Sequence, residues 1–265
     1  MSLRIFVCIK VVPDPERASE ITLDPQTKTV RREGIPLVIN PMDKNALEAA
    51  LQVRAQQGGE VTVVSMGPPS VEEVLRQSLA LGADRVALLC DRCLAGADTL
   101  ATARTLAAGI EKLGGADLVF CGAESADGGT AQVGPQVAAL LGMAHAVYAT
   151  AFSLRDGIAE VTVKTEDGEK VLQGGLPLLV TVSREINQPR GIRFSEIVKA
   201  RKKPFNVFTA ADLSLAETCI GEQGSPTRIA GIADAKMERR GEILEGEPEE
   251  AVAKLMTILR REGAI

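Results

Sequence analysis

Short apolar runs alternate with amphipathic helical patterns along the chain as far as Met143. The apolar runs, which are typical of strands buried on both faces of a sheet, are residues 4–10, 61–65, 85–89 and 118–121. The helical patterns are residues 44–57, a helix after Ser70, residues 99–113 and a helix from about Gln132. Because strands that alternate with helices pair in parallel through right-handed crossovers, we predict an α/β fold: an open, mainly parallel, doubly wound sheet with helices on both faces.

Three of these helices begin with capping signals. Asp43 precedes the first helix, Ser70 and Glu73 form an S-x-x-E capping box before the second, and Asp98 precedes the third. Each signal predicts a side-chain oxygen that accepts a hydrogen bond from an unpaired N–H group of the first helical turn.

The pattern changes after Tyr148. Residues 159–165 and 169–173 predict a β-hairpin, residues 178–182 a last central strand, residues 20–32 a small hairpin or edge flap, and residues 195–201 a weak helix. The density of core-forming residues falls from Phe205, and Pro248 begins a final helix with an apolar stripe that packs on its own domain or docks on a partner. We therefore predict an α/β domain over residues 1–204 and an extended C-terminal arm with a helix over 205–265.

Composition excludes several classes of function. The net charge of -5 and pI near 5.2 argue against a nucleic-acid partner. No apolar run is long enough to span a membrane, and no signal peptide precedes the first strand, so we expect a cytoplasmic protein without membrane insertion. The five cysteines indicate reduced thiols, and the spacing of Cys90 and Cys93 is weak evidence for a redox site. With one histidine we expect neither a metal site nor catalytic residues, and without G-x-G-x-x-G or a P-loop no standard nucleotide fingerprint is present.

The stretch from Asp117 to Met143 combines a buried strand, a loop rich in Gly, Asp and Thr, and a helix with Pro135 in its first turn. The carboxyl ends of parallel strands are where ligands bind in open α/β sheets, and a helix start attracts anions. The glycines that would allow close approach of a phosphate are Gly122, Gly128, Gly129 and Gly134, and the hydrogen-bonding side chains are Ser125, Asp127, Thr130 and Gln132. The stretch therefore indicates a nucleotide-binding loop; the alternative is a solvated connection without a ligand.

Several motifs together resemble the β subunit of electron transfer flavoproteins. They are Val12-Pro13-Asp14, Ile39-Asn40-Pro41, Val64 to Pro68, Leu81 to Arg85, Asp127 to Gly134, Asn187 to Arg190 and Lys199 to Lys203. The resemblance covers nearly the whole chain. It implies a fold related to the adenine nucleotide α-hydrolases and a heterodimer with a larger α subunit that holds FAD and is embraced by the C-terminal arm.

The resemblance also implies which residues surround a nucleotide in this subunit. They are Cys8, Asn40, Pro41, Met42, Asp43, Met66, Glu124, Ser125, Ala126, Asp127, Gly128, Gly129, Thr130, Ala131, Gln132, Val133, Gly134 and Pro135. Family members usually carry an acidic residue in place of Gly129. All of these positions are expected at carboxyl ends of strands or in the loops that follow.

Two types of family member differ in this nucleotide. Conventional members hold AMP, whereas bifurcating and nitrogen-fixation-linked members hold a second, redox-active FAD. Asp98, Thr99 and Thr102 match the D-T-x-A-T element of the FAD-holding type. The two threonines are one helical turn apart, so both hydroxyls can face a flavin or its pyrophosphate. We therefore favour FAD over AMP, while capping by Asp98 without any ligand is the alternative interpretation of this element.

The resemblance implies electron transfer between flavoprotein dehydrogenases, such as acyl-CoA dehydrogenases, or NADH, and acceptors such as ferredoxin. The chain alone is not expected to be an enzyme. Arg190, Phe194 and Lys199 match the partner-recognition region, where an exposed Phe flanked by basic residues is typical of an interaction hot spot. A Phe194 buried under its own loop is the alternative. Without the resemblance, the same pattern would suit a universal-stress-type ATP- or AMP-binding module.

Overall fold

The structure, a computed structural model, describes residues 2–20, 22–23, 30–31, 34–228, 230 and 241–265. The strands are β1 Arg4–Cys8, β2 Val11–Pro13, β3 Thr22–Leu23, β4 Val30–Arg31, β5 Leu37–Ile39, β6 Glu60–Met66, β7 Arg85–Leu89, β8 Leu118–Gly122, β9 Ala144–Arg155, β10 Ile158–Thr165, β11 Gly168–Gly175, β12 Leu178–Val182 and β13 Phe205–Phe208. The helices are α1 Pro41–Gln57, α2 Glu72–Leu81, α3 Thr99–Lys112, α4 Val133–Leu140, α5 Phe194–Ala200 and α6 Pro248–Arg261.

Nine of the described strands form one sheet in the order β11-β10-β9-β12-β8-β1-β6-β7-β13. From β9 to β13 all neighbouring strands are parallel, and β10 pairs antiparallel with both β9 and β11. The predicted mainly parallel sheet with a hairpin insertion is therefore confirmed. The predicted small hairpin is also present, because β3 pairs antiparallel with β4, although the rest of residues 20–32 lies largely outside the described residues.

The chain winds outward from β1 in both directions. It passes first to β6 and β7 on one side of β1, and then to β8 and β12 on the other. The switch point of this doubly wound sheet therefore lies between β1 and β8, where open α/β folds place their ligand crevice. Successive side chains of β1 point to opposite faces of the sheet. Ile5 and Val7 pack with α1 and α2 on one face, whereas Phe6 and Cys8 pack with α3 and α4 on the other.

Two of the three predicted helix caps are wrong. Helix α1 begins at Pro41, so Asp43 lies inside its first turn and its side chain points to the sheet. Ser70 lies inside a short 3₁₀ turn, Pro69–Val71, and α2 begins at Glu72 without a side-chain cap, so the predicted capping box does not form. The third prediction is confirmed, because Asp98 Oδ1 accepts a hydrogen bond from Ala101 N at 3.0 Å.

Four strands were not predicted: β2 and β5, which pair antiparallel in a separate two-stranded sheet, and β9 and β13 of the large sheet. Strand β9 contains a bulge at Tyr148, whose φ of 54° interrupts the alternation by which a strand is recognised in a sequence. Strand β13 pairs with β7 at the edge of the sheet, so one edge strand follows the last central strand at residues 178–182 in the chain. Ala210, Leu213 and Ile220 are buried in the same core as α3. The first part of the predicted arm thus belongs to the α/β body, because the compact unit extends to Ala230.

The second compact unit is Gly231–Ile265. Its described part contains α6, which begins at Pro248 as predicted. Val252, Leu255 and Met256 on this helix are exposed, and their docking on a partner stays a prediction. None of the helices in the described part of the chain is long and apolar enough to cross a membrane.

Candidate functional site

The carboxylate of Asp43 bridges the ends of β1 and β8 at the switch point. Its Oδ2 accepts a hydrogen bond from Lys10 N at 2.7 Å, and its Oδ1 accepts one from Gly122 N at 2.9 Å. A side chain on Gly122 would collide with Asp43 and Met42, so glycine is required for this approach. Both oxygens of Asp43 are therefore engaged by the backbone of this chain.

Asn40 fixes the loop that follows β8. Its Nδ2 donates to Glu124 O at 2.9 Å, and its Oδ1 accepts from Ala126 N at 3.0 Å. The Asn40 side chain is buried, whereas residues 126–130 are exposed. The start of α1 thus holds the Gly-rich loop at the protein surface, with its backbone open to solvent instead of covered by apolar side chains.

Burial shifts the ionisation of three groups beneath this loop. It raises the pKa of Asp43 from 3.8 to about 6, because the hydrogen bonds from Lys10, Asn40 and Gly122 only partly offset the desolvation of the carboxylate. Cys8 and Cys121 lie opposite each other on β1 and β8. Burial, together with the nearby Asp43 charge, raises the pKa of Cys8 to about 12 and that of Cys121 well above 9.0. Both thiols are therefore protonated at neutral pH and are poor nucleophiles.

Lys10 is a residue of this site that the sequence analysis missed. Its Nζ lies 2.5 Å from Asp127 Oδ1 and 3.3 Å from Ser125 Oγ, so it bonds to the loop across the switch point. Burial raises the pKa of Asp127, but the hydrogen bond and charge of Lys10 outweigh it and leave that pKa below its usual range. The only sequence signal was a lysine directly after a buried strand.

The loop ends in a constrained backbone before α4. Gly129 has φ of 57°, and Ala131 has φ of 55°, a left-handed conformation that costs a residue with a side chain about 1–2 kcal/mol. Gly134, by contrast, faces the sheet, where a Cβ would meet Thr181 and Cys121. Its small size serves the packing of α4 on the sheet, and the approach of a ligand to its backbone stays a prediction.

A polar cluster joins the starts of α3 and α4. Thr99 Oγ1 donates to Gln132 Oε1 at 2.9 Å and accepts from Gln136 Nε2 at 3.3 Å. Gln136, which the sequence analysis also missed, has a buried Oε1 without a hydrogen-bond partner among the described residues. Thr102 lies in the same first turn of α3 as Thr99. The D-T-x-A-T element is thus linked directly to the helix that follows the Gly-rich loop.

Asp98 uses both carboxylate oxygens within the chain. Oδ1 caps α3, and Oδ2 accepts from Thr227 N at 3.0 Å and Thr227 Oγ1 at 2.5 Å. Its backbone N donates to Ser225 Oγ at 2.8 Å. The segment that leads out of the α/β body is therefore tied to the first turn of α3 through Asp98.

The structure brings the predicted nucleotide-site residues to one edge of the sheet. Cys8 and Met66 end β1 and β6, residues 40–43 begin α1, Asp98 to Thr102 begin α3, and residues 124–135 join β8 to α4. Direct hydrogen bonds connect the start of α1 to the loop and α3 to α4. Contact of these residues with a nucleotide stays a prediction.

Cys90 and Cys93 show no sign of an activated redox pair. Both are free thiols, and burial together with Asp91 raises the pKa of each. Asp91 has a structural role, since its oxygens accept from Cys93 N and from Ala210 N. Within the residues that the structure describes, no group of three or more potential ligands could hold a metal ion.

The predicted partner-binding residues lie on a loop anchored to α1. Arg190 Nε lies 2.6 Å from Glu48 Oε2, and Asn45 and Asn187 exchange hydrogen bonds. Burial raises the pKa of Glu48, but the hydrogen bonds from Arg190 outweigh this effect and lower it. The Arg190 guanidinium is thus engaged within the chain, and it holds the loop in place.

Phe194 is 82% exposed, so the interpretation of a Phe buried under its own loop is wrong. It is accompanied by exposed Ile192, Ile197 and Val198, and these four residues are called the apolar patch below. Lys199 pairs with Glu196 at 2.8 Å. Lys203 Nζ donates to Leu79 O and Ala83 O at the end of α2, so its ammonium is engaged within the chain.

Comparison with known proteins agrees with this architecture. The sequence model of the electron transfer flavoprotein domain matches residues 27–213. The electron transfer flavoprotein subunit beta of Thermoanaerobacterium thermosaccharolyticum is 44% identical, over 96% of each chain. The caffeyl-CoA reductase-Etf complex subunit CarD of Acetobacterium woodii is 42% identical over 92% of each chain, and the FixA protein of Azorhizobium caulinodans is 40% identical over 98% of this chain and 95% of its own. Similarity of this extent shows that the chain belongs to the electron transfer flavoprotein family, as a β subunit.

Proposed function

We propose that this chain pairs with an α subunit and holds a second FAD at the carboxyl edge of its sheet. The observation that carries the proposal is the polar cluster of Thr99, Gln132 and Gln136, which joins the D-T-x-A-T helix to the helix after the Gly-rich loop. Two helix starts, each with unpaired N–H groups, meet there beside an exposed loop. Hydroxyl and amide groups between two helix starts suit a ligand with both a pyrophosphate and a polar ring.

The residues present fit such a ligand. Thr99 and Thr102 would offer hydroxyls from the first turn of α3, and the buried Oε1 of Gln136 is an acceptor without a donor among the described residues. A buried acceptor without a partner costs free energy, and an N–H or O–H group of a bound ligand would satisfy it. FAD, when bound, supplies one- and two-electron redox chemistry, and the protein contributes its placement and electrostatics.

We propose that the apolar patch is the docking point for a flavoprotein dehydrogenase. An exposed aromatic residue on a loop held by buried hydrogen bonds is a pre-organised anchor, which lowers the entropy cost of association. Electrons would then pass from an acyl-CoA or other dehydrogenase, or from NADH, to an acceptor such as ferredoxin. The relatives CarD and FixA support this wider role, since CarD is named as part of a caffeyl-CoA reductase complex. Location in the cytoplasm and docking of the C-terminal arm on the α subunit are part of the same proposal.

One observation favours AMP in place of FAD. Both oxygens of Asp98 are used in capping α3 and in binding Thr227, so this residue of the D-T-x-A-T element has a role without any ligand. In that case the subunit would hold AMP as a structural ligand, as conventional family members do. A universal-stress-type module is less consistent with the chain, because the relatives that match it over nearly its full length are electron transfer flavoproteins.

The two threonines provide the test. We expect the co-expressed αβ complex carrying both Thr99→Ala and Thr102→Ala to lose about one FAD per heterodimer, because two hydrogen bonds to the ligand would be removed. Thr165→Ala is the control, since Thr165 Oγ1 donates to Gly168 O in the turn between β10 and β11, outside the predicted nucleotide site. A double variant that keeps the wild-type FAD content and visible spectrum would contradict the proposed site.

A further inference from the structure

Lys10 extends from the carboxyl end of β1 into the loop that follows β8. Its Nζ lies 2.5 Å from Asp127 Oδ1 and 3.3 Å from Ser125 Oγ, and its side chain is 49% exposed. A Cβ on Gly128 would lie 3.8 Å from this Nζ and 3.1 Å from Ser125 Oγ, so the glycine leaves room around the ammonium. The ammonium therefore lies at the switch point, where it reaches both the loop and solvent.

The charges of the candidate nucleotide site favour a cation beside the phosphate. Its predicted residues include the carboxylates Asp43, Asp98, Glu124 and Asp127 but no lysine or arginine. A nucleotide brings further negative charge, which is unfavourable beside these groups without a compensating cation. Lys10 is a cation that bonds directly to this loop. Lysine binds phosphate as a compact point charge, so it needs no fixed planar geometry.

We propose that Lys10 is a phosphate-binding residue of the nucleotide site and that Asp127 competes with the phosphate for its ammonium. This inference rests on the proposed function, because it assigns a residue to the nucleotide proposed there. When a phosphate oxygen takes the place of Asp127 Oδ1, the carboxylate keeps its hydrogen bond with Ser125. The side chains of Lys10 and Asp127 are 49% and 23% exposed, so solvent screens the pair in part and the exchange of partners costs less than it would for a fully buried pair.

The competition gives the two partners opposite effects on binding. Loss of the Lys10 ammonium removes an attraction for phosphate and weakens binding. Loss of the Asp127 charge frees the ammonium and removes a repulsion, and so strengthens binding. If the pair only held the loop together, removal of either partner would loosen the loop and weaken binding in the same direction.

The test uses the co-expressed αβ complex as wild type, Lys10→Gln, Asp127→Asn and Lys164→Gln. The last is a matched control, because Lys164 Nζ pairs with Glu185 at 2.9 Å on an exposed surface of the hairpin. After the bound nucleotide has been removed from the β subunit of each complex, dissociation constants are measured for AMP, which shares its adenosine and one phosphate group with FAD, and for adenosine, which lacks the phosphate. Thermal unfolding of each complex checks that the fold is retained.

We expect Lys10→Gln to raise the dissociation constant of AMP by about 10-fold or more, because one charge-assisted hydrogen bond to the phosphate is lost. The dissociation constant of adenosine should stay unchanged. Asp127→Asn should lower the dissociation constant of AMP by about 3-fold, because the Lys10 ammonium no longer pairs with a carboxylate and is available to the phosphate. Lys164→Gln should match wild type.

Two results would overturn the inference. One is that both Lys10→Gln and Asp127→Asn weaken AMP binding to a similar extent, and the other is that Lys10→Gln weakens adenosine as much as AMP. Both leave the nucleotide site itself intact. A wild-type complex whose β subunit binds neither AMP nor FAD would instead contradict the proposed function, and the role of Lys10 with it.

Discussion

Asp43 should make the unfolding free energy of the chain depend on pH in an unusual direction. Most carboxylates of this chain with shifted pKa values, such as Asp117 and Asp127, are stabilised in their charged form. Asp43 is 5% exposed, and its pKa rises from 3.8 to about 6 because burial penalises the charge. The folded state therefore binds a proton at Asp43 more tightly than the unfolded state does, so stability rises as pH falls through about 6 and is lost as pH rises through it.

The magnitude follows from the two pKa values. A shift of this size corresponds to about 3 kcal/mol of penalty for the charged form above pH 6. Between about pH 7 and pH 5 the folded carboxyl takes up most of its proton while the unfolded one stays ionised. Over that interval Asp43 alone should add about 1 kcal/mol to the unfolding free energy.

The variant Asp43→Asn removes this pH dependence, because an amide does not titrate in this range. Its absolute stability combines two opposing effects: relief of the buried charge, and loss of one of the two acceptors for Lys10 N and Gly122 N, which costs about 1–3 kcal/mol. The informative quantity is thus the difference between wild type and variant as a function of pH.

Urea unfolding at a series of pH values measures that difference. We expect the wild type to gain about 1 kcal/mol relative to Asp43→Asn between about pH 7 and pH 5. Asp117→Asn is the control, because Asp117 stays ionised in both states over this interval and its variant should keep a constant difference from wild type. A wild-type-to-Asp43→Asn difference that stays constant, or a carboxyl carbon of Asp43 that titrates near its ordinary pKa by NMR, would refute the reasoning.

Three further predictions concern single side chains. Phe194→Ala should weaken docking of the dehydrogenase by about 2 kcal/mol and leave flavin content unchanged, measured by binding titration, with exposed Val171→Ala on β11 as control; an unchanged affinity for the dehydrogenase would contradict the docking role. Lys203→Met should lower the unfolding free energy by about 1–2 kcal/mol because it leaves Leu79 O and Ala83 O without their donor, and an unchanged urea midpoint would contradict this role. Ala131→Val should cost about 1–2 kcal/mol more than Ala131→Gly in the same assay, because a β-branched side chain does not tolerate φ of 55°; equal costs would mean that the backbone there is not left-handed.

The strands buried on both faces were predictable from sequence because a continuous apolar run can be recognised without knowing which strands lie beside it. Strands β6, β7, β8 and β12 are nearly continuous apolar runs, and each was placed within a residue of its observed ends. Strand β9 was not found, because its bulge at Tyr148 breaks the alternation. Strand β13 has four residues and pairs with β7, a contact between distant parts of the chain.

The site was predictable only where a residue's role follows from its neighbours in the sequence. The cap by Asp98 and the helix start at Thr99 follow from neighbouring residues and were found. The sequence predicts Asp43 as a helix cap, because nothing near it in sequence shows that its carboxylate would accept a hydrogen bond from Gly122 N. Lys10 was missed for the same reason, since its partner Asp127 lies 117 residues away. Contacts of this kind depend on the order of the strands in the sheet, which the residues near each position do not reveal.

The nucleotide content of the co-expressed wild-type αβ complex tests the central claim most directly. The purified complex is denatured, and the released FAD and AMP are separated by chromatography and counted per heterodimer. We expect two FAD and no AMP, because the starts of α3 and α4 offer hydroxyl and amide groups to a flavin beside the phosphate loop. One FAD with one AMP would contradict a second flavin and support the AMP-holding type, and one FAD with no other nucleotide would contradict a nucleotide site in this subunit altogether.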